Sequence, residues 1–434
     1  AQELMIRYGG EKPIWITETG WPTHQHKAGV SEALSGFYAA RIGVLRLASG
    51  VPGVNFWYDL QNDGLLETYQ EHNFGLIRCW YNEDTPWSAK ENFITYNTAA
   101  NMLYQAEFVG EYETGKPNLK IYRLAKQAQD LLVLWTLRDI ETVSLKLGER
   151  QVVVTDHLGN SYPLTPTEGV VTLSVTQAPL YLTGDFEVCE ITSAKFQVDN
   201  PKLKVVAGEE TIIRVQLPGL SQEGSLLSDL PRGWQIANTS FDPNQGSLEL
   251  KLKVSLQAQE KEYELNLYPT VGQSVLGRLT LAAEVISPLE AAVQPVALAE
   301  GWGLSIKLTN HSQLNSLGGT LNLIEPLQWA KTFGAKIIPE LEPGASQTLK
   351  FPVPAPPGGI TDLKLQVRPT RGSAITLERP VSFLGAKRAI VAPKIDGDLS
   401  EWEQRASFTM LKPEQVKQIK DWGGPEDLSA SGSL

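Results

Sequence analysis

The feature that most constrains this chain is a change of period near residue 108. Before it, apolar residues fall into a strand, helix, strand, helix order. After it, short runs alternate every second residue through most of the remaining length. With 434 residues, the chain is too long for one ordinary domain. The expectation is a multidomain protein that opens in βα units and continues in β-sandwiches.

Residues 1–10, AQELMIRYGG, read as the tail of a helix ended by Gly9-Gly10. Residue 1 is not Met and no signal peptide precedes it, so the chain is expected to begin inside a longer protein. Pro13–Thr17 reads as a strand buried on both faces, because its apolar residues are consecutive. Ser31 is placed to cap a helix carrying Leu34, Phe37, Tyr38, Ile42 and Leu45. The run VNFWYDL (54–60) reads as a second strand, and Ser88-Ala89-Lys90-Glu91 as a capping box for a second helix. Two βα units fit a parallel barrel or a doubly wound sheet.

From 108 the runs IYRLA, LLVLWTL, TVSLKL, QVVVTD, VVTLSV and PLYLTG predict an antiparallel β-sandwich to residue 186. Two further β series follow at 187–287 and 288–385, each the size of an immunoglobulin-like module, with Ser287-Pro288 as the joint. APKIDGDLSEWEQ (392–404) starts something new, so 386–434 is treated as its own segment.

Composition excludes several functions. Net charge is −11 with no basic run, which argues against nucleic acid or an anionic membrane surface as partner. No apolar run approaches the ~18 residues of a membrane span. Five scattered histidines and two distant cysteines, Cys79 and Cys189, give no metal-binding cluster. No phosphate-binding or dinucleotide fingerprint follows a strand, so no cofactor is expected.

In KPIWITETGWPT (12–23), an apolar run passes directly into Glu18 and then into a Gly-Trp-Pro corner. In parallel barrels reactive groups sit at the C-terminal ends of strands. Burying a charge there costs several kcal/mol unless it is paired. A carboxylate beside indole rings suits sugar chemistry: the rings stack on a pyranose and the carboxylate serves the anomeric carbon. Trp57 reads as a stacking residue or a core aromatic, and Trp21 as a sugar contact or a packed corner. His24, His26, Tyr58, Asp59, Asn62 and Asp63 lie on segments bordering the same place.

ITETGWP resembles the seventh barrel strand of the clan-A retaining glycoside hydrolases, FWYDLQNDG resembles their eighth, and NFGLI with its following helix resembles their closing helix. Residues 118–184 resemble the β-sandwich attached to the barrel in family 39, while TETGWP alone also resembles the family 17 β-1,3-glucanases. The resemblance implies a partial (β/α)8 TIM barrel over 1–107 (the last two βα units), the sandwich over 108–186 and then the two immunoglobulin-like β domains. It implies a retaining glycosidase acting on β-linked poly- or oligosaccharide. Glu18 would be the nucleophile, with Trp57, Trp21, Tyr58, His24 and Asp59 around the sugar.

A retaining enzyme also needs an acid/base carboxyl group. In this clan it follows an Asn on the fourth strand, which has no counterpart here. Glu67, Glu71 and Glu83 stand after the eighth strand and do not fit that role. The chain is therefore expected to be incomplete and inactive alone. KIDGDLSEW (394–402), with Asp396, Gly397, Asp398 and Trp402, resembles the opening of a family 9 carbohydrate-binding module. A secreted or cell-surface location follows from this class. The competing expectation is a non-catalytic carbohydrate-binding or adhesion scaffold, with Trp234, Trp302 and Trp329 as sugar platforms or core residues.

Overall fold

The computed structural model describes residues 2–10, 12–24, 26, 28–51, 55–61, 69–79, 85–186, 189–217, 224–242, 245–298, 301–353, 359–370, 374–383, 407–410 and 430–433. The chain opens with α1 (Gln2–Tyr8), β1 (Ile16–Thr19), α2 (Glu32–Ala48) and β2 (Asn55–Trp57). A 3-10 turn at Gln70–His72 and α3 (Glu91–Leu103) come next. β1 and β2 pair in parallel, with Ile16 opposite Asn55 and Thr19 opposite Trp57.

The partial (β/α)8 barrel expected over residues 1–107 is not what forms. Among the described residues strands far outweigh helices. The β1–β2 sheet has two strands among the described residues. β1 is not a core strand either: Thr17 and Glu18 are exposed, Ile16 and Thr19 half-buried, and Trp15 is 60% exposed. The cause lies in where the helices place their apolar faces. α2 and α3 pack on each other, and Ala40, Val44 and Ala99 meet Leu131, Val133, Trp135 and Tyr181 of the adjoining sandwich. Barrel helices cover the outside of barrel strands; these cover a sandwich sheet.

Local signals fared unevenly. Ser31 caps α2 as its sequence predicts, its Oγ accepting from the Leu34 amide at 3.1 Å. The capping box at Ser88 does not form, because α3 begins at Glu91 with Lys90 in the cap position. The Ser88 hydroxyl donates instead to the Thr85 carbonyl at 2.7 Å. Glu32 of the other helix supplies the missing acceptor, taking the Glu91 amide at 3.2 Å while also pairing with Arg78.

The run LLVLWTL lies in the strand Gln129–Thr136, with its last residue, Leu137, just beyond it, and it shows why a sandwich strand is apolar on both faces. Leu132 and Leu134 enter the sandwich core with Ile121, Leu145, Leu173 and Leu182. Leu131, Val133 and Trp135 face the helices. Alternation thus sends every second residue into a different core. Each fully buried leucine contributes about 1.5–3 kcal/mol. Arg41 of α2 locks the contact, its guanidinium donating to the Thr136 carbonyl at 3.1 Å and to the Gln177 carbonyl. Burial lowers its pKa to about 10.

The sandwich sheet carrying these helices has six strands. Its partner sheet contains Glu190–Thr192, Glu141–Lys146 and Val170–Val175, and runs on into Gly277–Ile286, Glu262–Val271 and Gly224–Asp229. The link is parallel, Gly277 opposite Thr172 and Arg278 opposite Leu173. A Cβ at Gly277 would fall 2.5 Å from the Thr172 carbonyl oxygen, so the residue type is set by this approach. Arg278, buried at the same seam, bonds Asn266 at 3.0 Å and Glu264 at 2.9 Å.

Within 187–287 a four-stranded sheet, including Glu210–Gln216 and Ser247–Lys253, closes over a core of Val215, Leu250, Leu265 and Leu281. Within 288–385, sheets of three and four strands enclose Leu304, Ile306, Leu321, Leu365 and Trp329. Both are two-sheet sandwiches of mainly antiparallel strands, with Lys202–Val206 running parallel to Gly277–Ile286 in the first, a layout like that of immunoglobulin-type domains. Glu209 joins them, accepting from the Gln313 amide at 3.3 Å and from the Ser312 hydroxyl. Beyond 385 the described residues form one antiparallel strand pair, Ser407–Met410 with Ala430–Ser433. The KIDGDLSEW motif, with Asp396, Gly397, Asp398 and Trp402, lies outside the described residues.

Candidate functional site

The segments ITETGWP, FWYDL and NFGLI, separate in sequence, meet at the end of the β1–β2 sheet. The Tyr58 amide donates to the Thr19 carbonyl at 2.7 Å, carrying the pairing one residue past β2. The amides of Leu76 and Ile77 both donate to the Leu60 carbonyl at 2.9 Å. The Thr23 amide and hydroxyl both donate to the Asn73 carbonyl, at 3.0 and 3.2 Å. Gly20 allows the closest approach, since a Cβ there would lie 2.9 Å from the Phe74 ring and 3.1 Å from the Tyr58 Cβ.

Glu18 is exposed on this edge. The Tyr58 hydroxyl, on a residue 40% exposed, donates to Glu71 Oε2 at 3.0 Å. That bond, the Glu71 charge, partial desolvation and the charges of Glu18 and Asp59 together hold the phenol above its ordinary pKa. Three carboxylates therefore act on one neutral hydroxyl. Such a hydroxyl remains a donor through the physiological range.

The aromatic side of the site is built from both helices. Trp21 lies 5.2 Å from Tyr38 of α2 and 6.3 Å from Trp57, centroid to centroid. Trp57 meets Tyr96 of α3 edge-on at 5.9 Å, and its indole N–H donates to the Phe74 carbonyl at 2.8 Å. Tyr58 packs on Phe74 at 4.5 Å. Trp21 and Trp57 are half-buried, so each has a packing role and an open part.

Glu18, Trp21, Trp57 and Tyr58 thus share one edge of the molecule. His24 and Asp59 are used differently. The His24 ring is buried and stacks on His26 at 5.6 Å, under the tight approach of Gly29. Asp59 accepts from the Gln61 amide at 3.2 Å, a turn-forming bond. Asn62, Asp63, Glu67 and Glu83 lie outside the described residues. Tyr38, Tyr96, Phe74 and the Tyr58–Glu71 bond were not singled out from sequence. Tyr38 and Tyr96 do stand on apolar helix stripes, where an aromatic reads as core. Of the later tryptophans, Trp329 is core, Trp302 lies on the strand Gly301–Asn310, and Trp234 is buried beside a cleft.

No protein-family model matches the chain, and no curated protein matches it in sequence. Solved structures give slight likenesses. One is a GH30 endoxylanase from Clostridium papyrosolvens C71: 11% identity, TM-score 0.30, covering 43% of this chain and 45% of that one. The chain thus spans less than half of that endoxylanase. Another is the teleost fish polymeric Ig receptor ectodomain, at 11% identity and TM-score 0.21 over 43% of this chain and 98% of that one. The titin I-band fragment I67–I69 matches at 10% and 0.18 over 59% and 92%. Likenesses this slight decide neither fold nor function. Among the described residues no helix is long and apolar enough to cross a membrane.

Proposed function

We propose that the edge around Glu18 is the sugar-binding and reacting face of a retaining glycosidase for β-linked poly- or oligosaccharide. The observation that supports this best is the grouping of an exposed carboxylate, the neutral Tyr58 hydroxyl and the half-buried Trp21 and Trp57 indoles on one edge. The indoles would carry the apolar face of a pyranose. A Glu18 oxygen would bond to the anomeric carbon as the glycosidic C–O bond breaks, the bond's electron pair leaving on the departing oxygen. That oxygen takes its proton from a general acid assigned to no residue of this chain. Water then hydrolyses the glycosyl ester with retention. Tyr58 would position the nucleophile's side of the sugar by hydrogen bonding. The surroundings proposed for substrate are Trp57, Trp21 and Tyr58 in contact, with His24 and Asp59 shaping the loops.

No residue of this chain is assigned as acid/base, so the test uses 2,4-dinitrophenyl β-glycosides, whose leaving group needs no protonation, with the protein and with Glu18→Ala. The proposal expects Glu18→Ala to lose at least about a thousandfold in kcat/KM. Equal rates of dinitrophenolate release in the two forms, or no release from any member, would remove it.

A second reading is a non-catalytic carbohydrate-binding or adhesion scaffold. It is favoured by the run of sandwiches that fills most of the chain, and by the Trp57 indole and Tyr58 hydroxyl both being engaged by protein groups. Under it the protein binds glycan without turning it over, and Glu18→Ala changes affinity alone.

A further inference from the structure

We propose that the end of the 187–287 sandwich around Trp234 and Tyr263 is a second carbohydrate site, taking one pyranose unit of a glycan. Two turns flank a cleft of about 560 Å³ there, within the range of small-ligand pockets. In the first, the Trp234 amide donates to the Pro231 carbonyl at 3.1 Å, with Gly233 at φ +84° supplying a left-handed bend. In the second, Ser255 accepts the Gln257 and Ala258 amides, and the Gln259 amide donates to the Tyr263 hydroxyl at 3.2 Å.

These turns bring the Trp234 and Tyr263 rings into contact, centroids 5.1 Å apart at 51°, so that Trp234 backs the half-buried Tyr263 ring that walls the cleft. Lys261 lies 4.9 Å from the Tyr263 centroid and helps fix that ring. Trp234 is only 6% exposed and belongs to the sandwich core, so it supports the cleft from beneath. Arg232, Gln257 and Gln259 are exposed around the cleft, and no described partner engages their side-chain nitrogens or oxygens.

This chemistry matches a pyranose. Its C–H face suits an aromatic wall, while its hydroxyls need planar groups that donate and accept. Two amides supply both functions, and the guanidinium supplies a fork of donors. With a single arginine in its lining, the cleft is a poor fit to a nucleic acid. The site stands on its own residues and is independent of the role given to Glu18.

The test is titration of the full chain with xylotetraose, cellotetraose and laminaritetraose, by calorimetry and tryptophan emission. We expect saturable binding of at least one. Arg232→Ala and Gln257→Ala, both at exposed positions, should each weaken it about tenfold. Trp234→Phe, which keeps a buried ring, should remove the emission change. Absence of binding to all three at about 10 mM sugar, or an affinity unmoved by the Arg232 and Gln257 substitutions, would overturn the proposal.

Discussion

The Tyr58 hydroxyl donates to Glu71 at 3.0 Å while the Tyr58 backbone amide holds the Thr19 carbonyl at 2.7 Å, so one residue ties the end of β1 to the turn at Gln70–His72. Glu18 precedes Thr19, and its position therefore depends on this tie.

Tyr58→Phe removes the hydroxyl and leaves the ring on Phe74. Because the bond is exposed, stability should change by less than about 1 kcal/mol. Glycan affinity or turnover at the Glu18 edge should fall about tenfold or more. Denaturation and kinetics on the same preparation separate the two effects.

Gly20→Ala forces a methyl group against the Phe74 ring and the Tyr58 Cβ. Overpacking of this kind costs about 1–3 kcal/mol. Urea denaturation should show that loss, with a wild-type slope.

Arg41→Met keeps the length of the side chain but leaves the Thr136 and Gln177 carbonyls without their donor. The expected loss is about 2–4 kcal/mol. Hydrogen exchange should quicken first where α2 meets the strand Gln129–Thr136.

The Tyr122 phenol, buried and near Glu111, has its pKa pushed up to about 12. A folded pKa raised above the unfolded value means the folded state holds the proton more tightly. The resulting stability is fully present below about pH 10 and is lost as pH rises through about 12. Ultraviolet titration should show this tyrosine ionising late, with unfolding sharpening over the same window.

Much of the β architecture was legible because alternation is local: the run LLVLWTL marks its strand without reference to any partner. What covers each face was not legible. Leu131 and Leu132 are equally apolar, and only the fold sends one to the helices and the other into the sandwich. The barrel expectation failed on the same ground. A strand–helix–strand order looks alike whether the sheet continues or stops at β2, since the next partner is not encoded nearby. At the site, Glu18 and the two tryptophans stood out by their residue types. The Tyr58–Glu71 bond did not, because a turn geometry had to bring positions 13 apart within reach.

The most direct test is trapping with 2,4-dinitrophenyl 2-deoxy-2-fluoro-β-glycosides followed by peptide mass spectrometry. Dinitrophenolate departs with its electron pair without protonation, so the experiment reads the nucleophile alone and needs no general acid. A nucleophilic Glu18 predicts a single glycosyl adduct on the peptide carrying that residue, absent from Glu18→Gln. No adduct with any sugar of the series, or an adduct on another residue, would contradict it.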